Sequence, residues 1–271
     1  MYGDSLTEQP SEIVKVRNKY NVTSKKISQH SFMFTYGHGC CNFSRSRATL
    51  KAKTVGGFDY VSSFDLDAIS KGFQKTHHDI ISAQRGAGYW IWKPYLLLKM
   101  LTLHMKQGDI VMYQDAGSYF IRSAGPLLKL CEDSDEGIIV FSLTHVEHTF
   151  TKQDTFVLMN MSIPEAEDSW QRLASFILLR KSCNAIQFAM EWLAYLTDRR
   201  IVSDDPNVMG KDNPKSFRDH RHDQSVLSLL SKKWDLPAFR DPSQYGEYLS
   251  GNEKYLRGPY DQIIMHDRNK S

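Results

Sequence analysis

The chain has 271 residues, and its 34 Lys and Arg against 31 Asp and Glu leave a formal charge of +3, with 41% hydrophobic and 12% aromatic residues. That composition excludes disordered and fibrous classes, and a chain of this length can bury a core without disulfide staples. The small charge excess, spread over both halves, lacks the concentrated basic face that duplex binding uses, so nucleic acid is not an expected partner.

Residues 1–28 are polar and charged with no sustained period, and are expected to form an arm ahead of a folded domain spanning 29–271. The start carries acids and a proline where a secretory leader needs a basic end and an apolar run. No apolar stretch approaches the roughly 20 residues that span a bilayer. Cys40, Cys41, Cys131 and Cys183 show no C-x-x-C spacing, and neighbours in sequence bond poorly to each other, so a reducing, cytoplasmic setting is expected. The N-x-[ST] triplets at Asn21, Asn42 and Asn160 would matter only after secretion.

The domain opens with SFMFTYG, an apolar and aromatic run of strand length that stops at Gly37 and Gly39. SRSRATLKAKTVGG then predicts a helix closed by glycines, and FDYVSSF alternates as a second strand. Over residues 66–83, Leu66, Ile69, Phe73, Ile80 and Ile81 stand at near-helical spacing and predict a helix. Another follows the RGAG break, from about 93 to 105, with Pro94 in its first turn. In DIVMYQDAG the run Ile110, Val111, Met112 and Tyr113 suits a central strand covered on both faces, halted by Gln114 and Asp115. GPLLKLCEDS predicts a helix, GIIVFSL and RLASFILLRKS buried strands, and SCNAIQFAMEWLAYLTDRR an amphipathic helix. Residues 202–222 read as a polar loop, DQSVLSLLSKKW as a helix and DQIIMH as a short strand. Strands alternating with helices predict one α/β domain with an open, mainly parallel sheet flanked by helices, a Rossmann-related architecture.

In such sheets ligands bind beyond the carboxyl ends of the strands, where Asp115 stands. A carboxylate there, followed by small Ala116 and Gly117, can hold Mg²⁺ or Mn²⁺ beside a diphosphate, or can simply cap a turn. The preceding RGAGYWIWKPY sets four aromatics around one lysine; Trp90 and its neighbours suit stacking on a sugar or base, although Tyr89, Trp92 and Tyr95 also fit a core at the helix start. Arg85 and Lys93, beside a glycine turn, can neutralise phosphate oxygens. His220, Arg221, His222, Asp223 and Gln224 open the last helix: a hydrolase metal cluster, a substrate-facing acid and amide, or helix capping by Asp219 or Asp223. Lys152 and Asp154 sit after a buried strand, at a crevice edge or as a surface pair.

Taken in order, RGAGYWIWKPYLLLKML, GDIVMYQDAG, EHTFTKQDTF, ASFILLRKS and HRHDQSVLSLL resemble GT-A-type glycosyltransferases of bacteria and large viruses, over roughly residues 30–270. The resemblance implies a nucleotide-sugar half of about 29–120, an acceptor half of about 121–271, a nucleotide-sugar donor and a glycan or glycoconjugate acceptor. It further implies donor contacts from Tyr36, Arg85, Trp90, Lys93, Asp115, Gln224, Arg268 and Lys270, and a divalent metal, Mn²⁺ or Mg²⁺, held by Asp115 and His266. Gly117 stands where the second acid of the family's Asp-x-Asp signature belongs, which leaves the metal open. If configuration inverts, Asp223 is the first choice of base and Asp154 the second. If it is retained, Asp223 would hold sugar hydroxyls. A metal-dependent phosphohydrolase built on His220, His222 and Asp223, and a non-catalytic carbohydrate-binding protein, are the competing readings.

Overall fold

The computed structural model describes residues 14–15, 29–249, 258 and 260–267. Of the expected arm, only strand β1 (Val14–Lys15) lies among them; it pairs antiparallel with Tyr60 and Val61. The other strands are β2 (Ser31–Tyr36), β3 (Tyr60–Phe64), β4 (Ile110–Gln114), β5 (Ser118–Phe120), β6 (Ile138–Val146), β7 (Trp170–Arg180), β8 (Ala238–Phe239) and β9 (Ile264–His266). A 7-stranded sheet takes the order β1-β3-β2-β4-β7-β6-β8, and β5 and β9 form a separate antiparallel ribbon.

The continuous apolar runs become central strands because successive residues serve opposite faces. Phe32, Phe34, Val111, Tyr113, Ile138, Val140, Ile177 and Leu179 enter one core, under the helices Trp92–Lys99, Cys183–Leu196 and Asp223–Lys233. Met33, Ile110, Met112, Ile139, Phe141, Phe176 and Leu178 enter the other, against the helix Gly125–Asp133 and the ribbon residues Phe120 and Ile264. Each such large side chain, fully buried, contributes about 1.5–3 kcal/mol.

The sheet is open and flanked by helices on both faces, as expected. Strands β2, β3, β4, β6 and β8 point one way, while β1 and β7 point the other. The reversed β7 places its early residues at the carboxyl end of β4, which matters for the site below.

The helix expected over 66–83 is broken. Its first turn, Leu66–Ala68, ends at extended Ile69, Ser70 restarts the chain by accepting from Phe73 N, and a second break at His77 separates Lys71–Thr76 from His78–Ile81. Gln74 explains the first break, since its side-chain amide donates to Leu66 O and Ile69 O and holds the extended step in place. Two short helices absent from the sequence reading, Glu147–Phe150 and Gln153–Leu158, follow β6. Among the described residues no helix is long and apolar enough to cross a membrane.

Candidate active site

Beyond β4 the Asp115 amide donates to Ser175 O of β7 (2.9 Å), and the Asp115 carbonyl accepts from Ser118 N and Oγ. This pins the carboxylate at the sheet edge. Strand β7 pairs with β4 only from Phe176 onward, so residues 172–175 overhang it with backbone groups to satisfy. The helix Asp223–Lys233 meets that need: Ser228 Oγ accepts from Arg172 N (2.8 Å) and Gln224 Oε1 from Ala174 N (3.4 Å). Glu147 locks the same helix from below. Fully buried, it accepts from Thr151 Oγ1 (2.7 Å), Gln171 Nε2 (3.1 Å) and Ser228 Oγ, and pairs with Lys232.

The helix start therefore delivers Asp223 to the end of β4, and Lys93, from the first turn of the Trp92–Lys99 helix, reaches between the two acids. Its Nζ lies 2.8 Å from Asp223 Oδ2 and 3.2 Å from Asp115 Oδ1, and donates to Ala174 O at 3.2 Å. The Tyr113 hydroxyl donates to the same Asp115 Oδ1. Lys93 and Asp223 side chains are 3% and 5% exposed, whereas Asp115 is 31% exposed and faces the opening.

Burial alone would lower the Lys93 pKa, but the two carboxylates more than reverse it and keep the ammonium charged. Burial likewise opposes ionisation of Asp115; Lys93, Tyr113 and Ser175 outweigh it and hold its carboxyl below the usual range. Asp223 goes the other way. Burial pushes it up to about 7, only partly offset by Lys93. The cluster thus holds one fixed anion, one fixed cation and one carboxyl that changes charge near neutrality.

Above it opens a cavity of about 240 Å³, lined by Arg85, Trp90, Lys93, Asp115, Leu143, His145, Ser175, Arg221, His222, Asp223 and Gln224 among others. That is below the roughly 300–1,000 Å³ of pockets that enclose a drug-sized ligand, so it suits the reacting end of a larger one. Arg85 stands at the rim, its Nη2 bonded to both Asp219 oxygens (3.0 and 2.9 Å). Arg221 lies over the Phe150 ring (4.6 Å), which stacks on His145.

One wall is built from unusual backbone. Gly86, Ala87, Gly88, Tyr89 and Trp90 all have positive φ, at +61°, +49°, +95°, +49° and +61°. The R-G-A-G motif is legible in these terms. A Cβ on Gly88 would stand 2.8 Å from Ile81 Cα, and one on Gly86 would stand 2.3 Å from the Trp90 ring. The turn presents Tyr89 and Trp90 to the ring of His222 (4.8 and 5.5 Å), itself at φ +50°. Non-glycine residues in such conformations cost of order 1–3 kcal/mol each and gather at functional sites.

Of the residues expected in the site, the fold brings together Arg85, Trp90, Lys93, Asp115, Asp223 and Gln224. It does not bring in Tyr36, which is buried behind them and stacks on Trp92 (3.9 Å), its hydroxyl pushed up to about 12 chiefly by burial. Asp154 is also elsewhere: its carboxylate accepts from Val208 N (2.7 Å) and Met209 N (3.0 Å) and shapes the 203–213 loop. His266 packs on Phe176 (5.0 Å), a member of the core on the opposite face of the sheet from Tyr113, and it does not line the pocket. Arg268 and Lys270 lie outside the described residues.

The expected metal ligands Asp115 and His266 are therefore not joined, and among the described residues no group of three or more His, Cys, Asp or Glu could hold an ion. Asp115 Oδ1 is shared between an ammonium and a phenol, donors that compete with a divalent cation for that oxygen. In the His220 and His222 cluster of the hydrolase reading, both ring nitrogens of His220 and one of His222 bond backbone, while His222 Nε2 lies 3.5 Å from Asp204 Oδ1. His220 bonds Ile201 O (2.8 Å) and Lys152 N (3.3 Å), and His222 Nδ1 bonds Val202 O (2.7 Å).

His145 and Ser175 line the pocket without having been singled out from the sequence, and Arg221, named there only as part of the segment that opens the last helix, lines it too. Only Arg221 carried a signal, as a cation directly before the helix that supplies Asp223. His145 and Ser175 depend on where β6 ends and on the direction of β7.

Fold and site together define an α/β chain with an acid–lysine–acid cluster in a crevice at the strand ends. The sequence matches no family model and no curated protein. Solved structures similar in fold include mouse xyloside xylosyltransferase 1 in its apo form, at 11% identity and TM-score 0.47, covering 89% of this chain and 98% of that one. The WbbM bifunctional glycosyltransferase in its apo form is similar at 12% identity and TM-score 0.46, covering 90% of this chain and 46% of that one. The galactosyltransferase LgtC with donor and acceptor sugar analogs is similar at 13% identity and TM-score 0.46, covering 88% and 87%. Likenesses at this level assign no role to any residue of this chain.

Proposed function

We propose that the chain is a glycosyltransferase that moves a sugar from a nucleoside-diphosphate sugar to a hydroxyl of a glycan or glycoconjugate. The observation that carries this reading is the placement of Asp223 against Lys93 at the floor of the crevice, under an aromatic and cationic rim. Transfer needs a base for the acceptor hydroxyl and positive charge for the departing diphosphate. Asp223 is buried, titrates near neutrality and is steered by Lys93, which suits a base. The acceptor oxygen attacks the anomeric carbon, its proton passes to Asp223, the bond from that carbon to the diphosphate oxygen breaks, and configuration inverts. Arg85 and Arg221 line the pocket as cations suited to a diphosphate, and Trp90 offers a flat apolar surface suited to a sugar ring.

A thermal-shift panel of nucleoside diphosphates, nucleotide sugars and free glycans tests the proposal, since a ligand that prefers the folded state raises the Tm. Stabilisation by a nucleotide sugar, followed by acceptor-dependent release of nucleoside diphosphate, is the expected result. Stabilisation by glycans alone would replace it with the carbohydrate-binding reading. Release of phosphate or nucleotide without acceptor would replace it with hydrolysis.

A further inference from the structure

We infer that Lys93, and not a divalent cation, is the counter-charge of the two strand-end carboxylates, so that this pocket takes its ligand without a metal. The inference rests on the pocket being the donor site. Two neighbouring carboxylates can both ionise only where a cation stands between them; otherwise one stays protonated. The place is taken: Lys93 Nζ stands 2.8 Å from one acid and 3.2 Å from the other. Lys93 Nζ also donates to Ala174 O at 3.2 Å, which fixes it between the two acids. Its stem is buried along the Trp92–Lys99 helix, so it cannot swing aside as a surface lysine would. A divalent ion taking Asp115 Oδ1 and Asp223 Oδ2 would have to expel a buried ammonium from both partners and displace the Tyr113 hydroxyl from Asp115 Oδ1. Breaking a buried pair in this way is strongly unfavourable. Gly117, where the sequence lacks a second acid, fits the same scheme: with Lys93 supplying the charge, the Asp-x-Asp arrangement has no ion to hold.

The test is titration of chelator-treated protein with Mn²⁺, followed by electron paramagnetic resonance. Wild type is expected to show no site tighter than about millimolar. Lys93→Ala and Lys93→Met vacate the space between two acids and are expected to gain a site at least ~10-fold tighter, lost again on adding Asp115→Asn. Circular dichroism checks that each variant is folded. A micromolar Mn²⁺ site in wild type that Asp115→Asn abolishes would overturn the inference, as would failure of both Lys93 variants to gain one. In parallel, the nucleotide-sugar thermal shift is expected to be the same in EDTA as in Mn²⁺, and a shift that appears only with Mn²⁺ would overturn it too. If no nucleotide sugar shifts the Tm under either condition, the donor reading fails, while the Mn²⁺ titration still decides what neutralises the acids.

Discussion

The ammonium of Lys93 lies 2.8 Å from Asp223 Oδ2, so the first turns of two helices 130 residues apart in the chain are tied head to head at the sheet edge. Asp223 has its elevated proton affinity because it is buried, and it has a directed oxygen because Lys93 holds it. The consequences can be measured.

Under the proposed mechanism, replacing Asp223 by Asn removes the base while keeping a side chain of the same size. Transfer is expected to fall by about 10²–10⁴, the usual contribution of a positioned base, with nucleotide-sugar binding in thermal shift largely retained. In the wild type, kcat/KM is expected to rise with pH through a limb near the Asp223 value of about 7, because only the ionised carboxylate accepts a proton. A flat profile from pH 5 to 9 would remove Asp223 from this role.

The same group shapes stability. Its folded pKa is raised from 3.8 to about 7, so its contribution is fully present below pH 4 and is lost as pH rises toward 7. Asp223→Asn is therefore expected to be more stable than wild type at pH 8 relative to pH 4. The difference between the two proteins should change by no more than ~1.4 kcal/mol per pH unit across that window. Urea melts at pH 4, 6 and 8 would show it.

Backbone handedness gives two predictions of opposite sign. Gly88→Ala puts a Cβ 2.8 Å from Ile81 Cα in a left-handed residue, and is expected to destabilise by about 3 kcal/mol or more. Ala87→Gly, at φ +49°, removes a left-handed penalty of roughly 1–2 kcal/mol and is expected to be neutral or stabilising despite the added freedom of the unfolded chain. Denaturant midpoints compare the two directly.

Arg85 separates binding from folding. Its pairing with Asp219 is about 40% exposed on both sides, so Arg85→Ala is expected to change stability by less than ~1 kcal/mol. Its donor KM should nevertheless rise several-fold, which steady-state kinetics with a nucleotide sugar would report.

Much of the architecture was legible from the chain. The run from Ile110 to Tyr113 could only be a strand covered on both sides, and in the structure its residues alternate between the two cores. Asp115, Trp90, Arg85 and Asp223 were legible for the same reason: each stands at a boundary between an apolar element and a turn. What failed depends on direction and on partners distant in sequence. The ribbon partner of β9 is β5, which carries His266 to the far face of the sheet, and nothing in IIMH says so. Asp154 resembled a crevice residue, but the loop amides of Val208 and Met209, more than fifty residues later, take both its oxygens. Lys93 was legible as a cation beside a glycine turn, while the acids it faces come together only because β7 runs backward and draws the last helix over its overhang.

The five left-handed residues from Gly86 to Trp90 form a short helix of the wrong hand, which the chain holds only while His222, Ile81 and the bonds closing the turn stay in place. Such a segment is under tension like a bent spring. Trp90 lines the cavity from within this turn, so the wall of the pocket and the left-handed backbone are one piece of structure, and hydrogen exchange at the amides of Tyr89 and Trp90 is expected to slow together when a ligand fills the crevice.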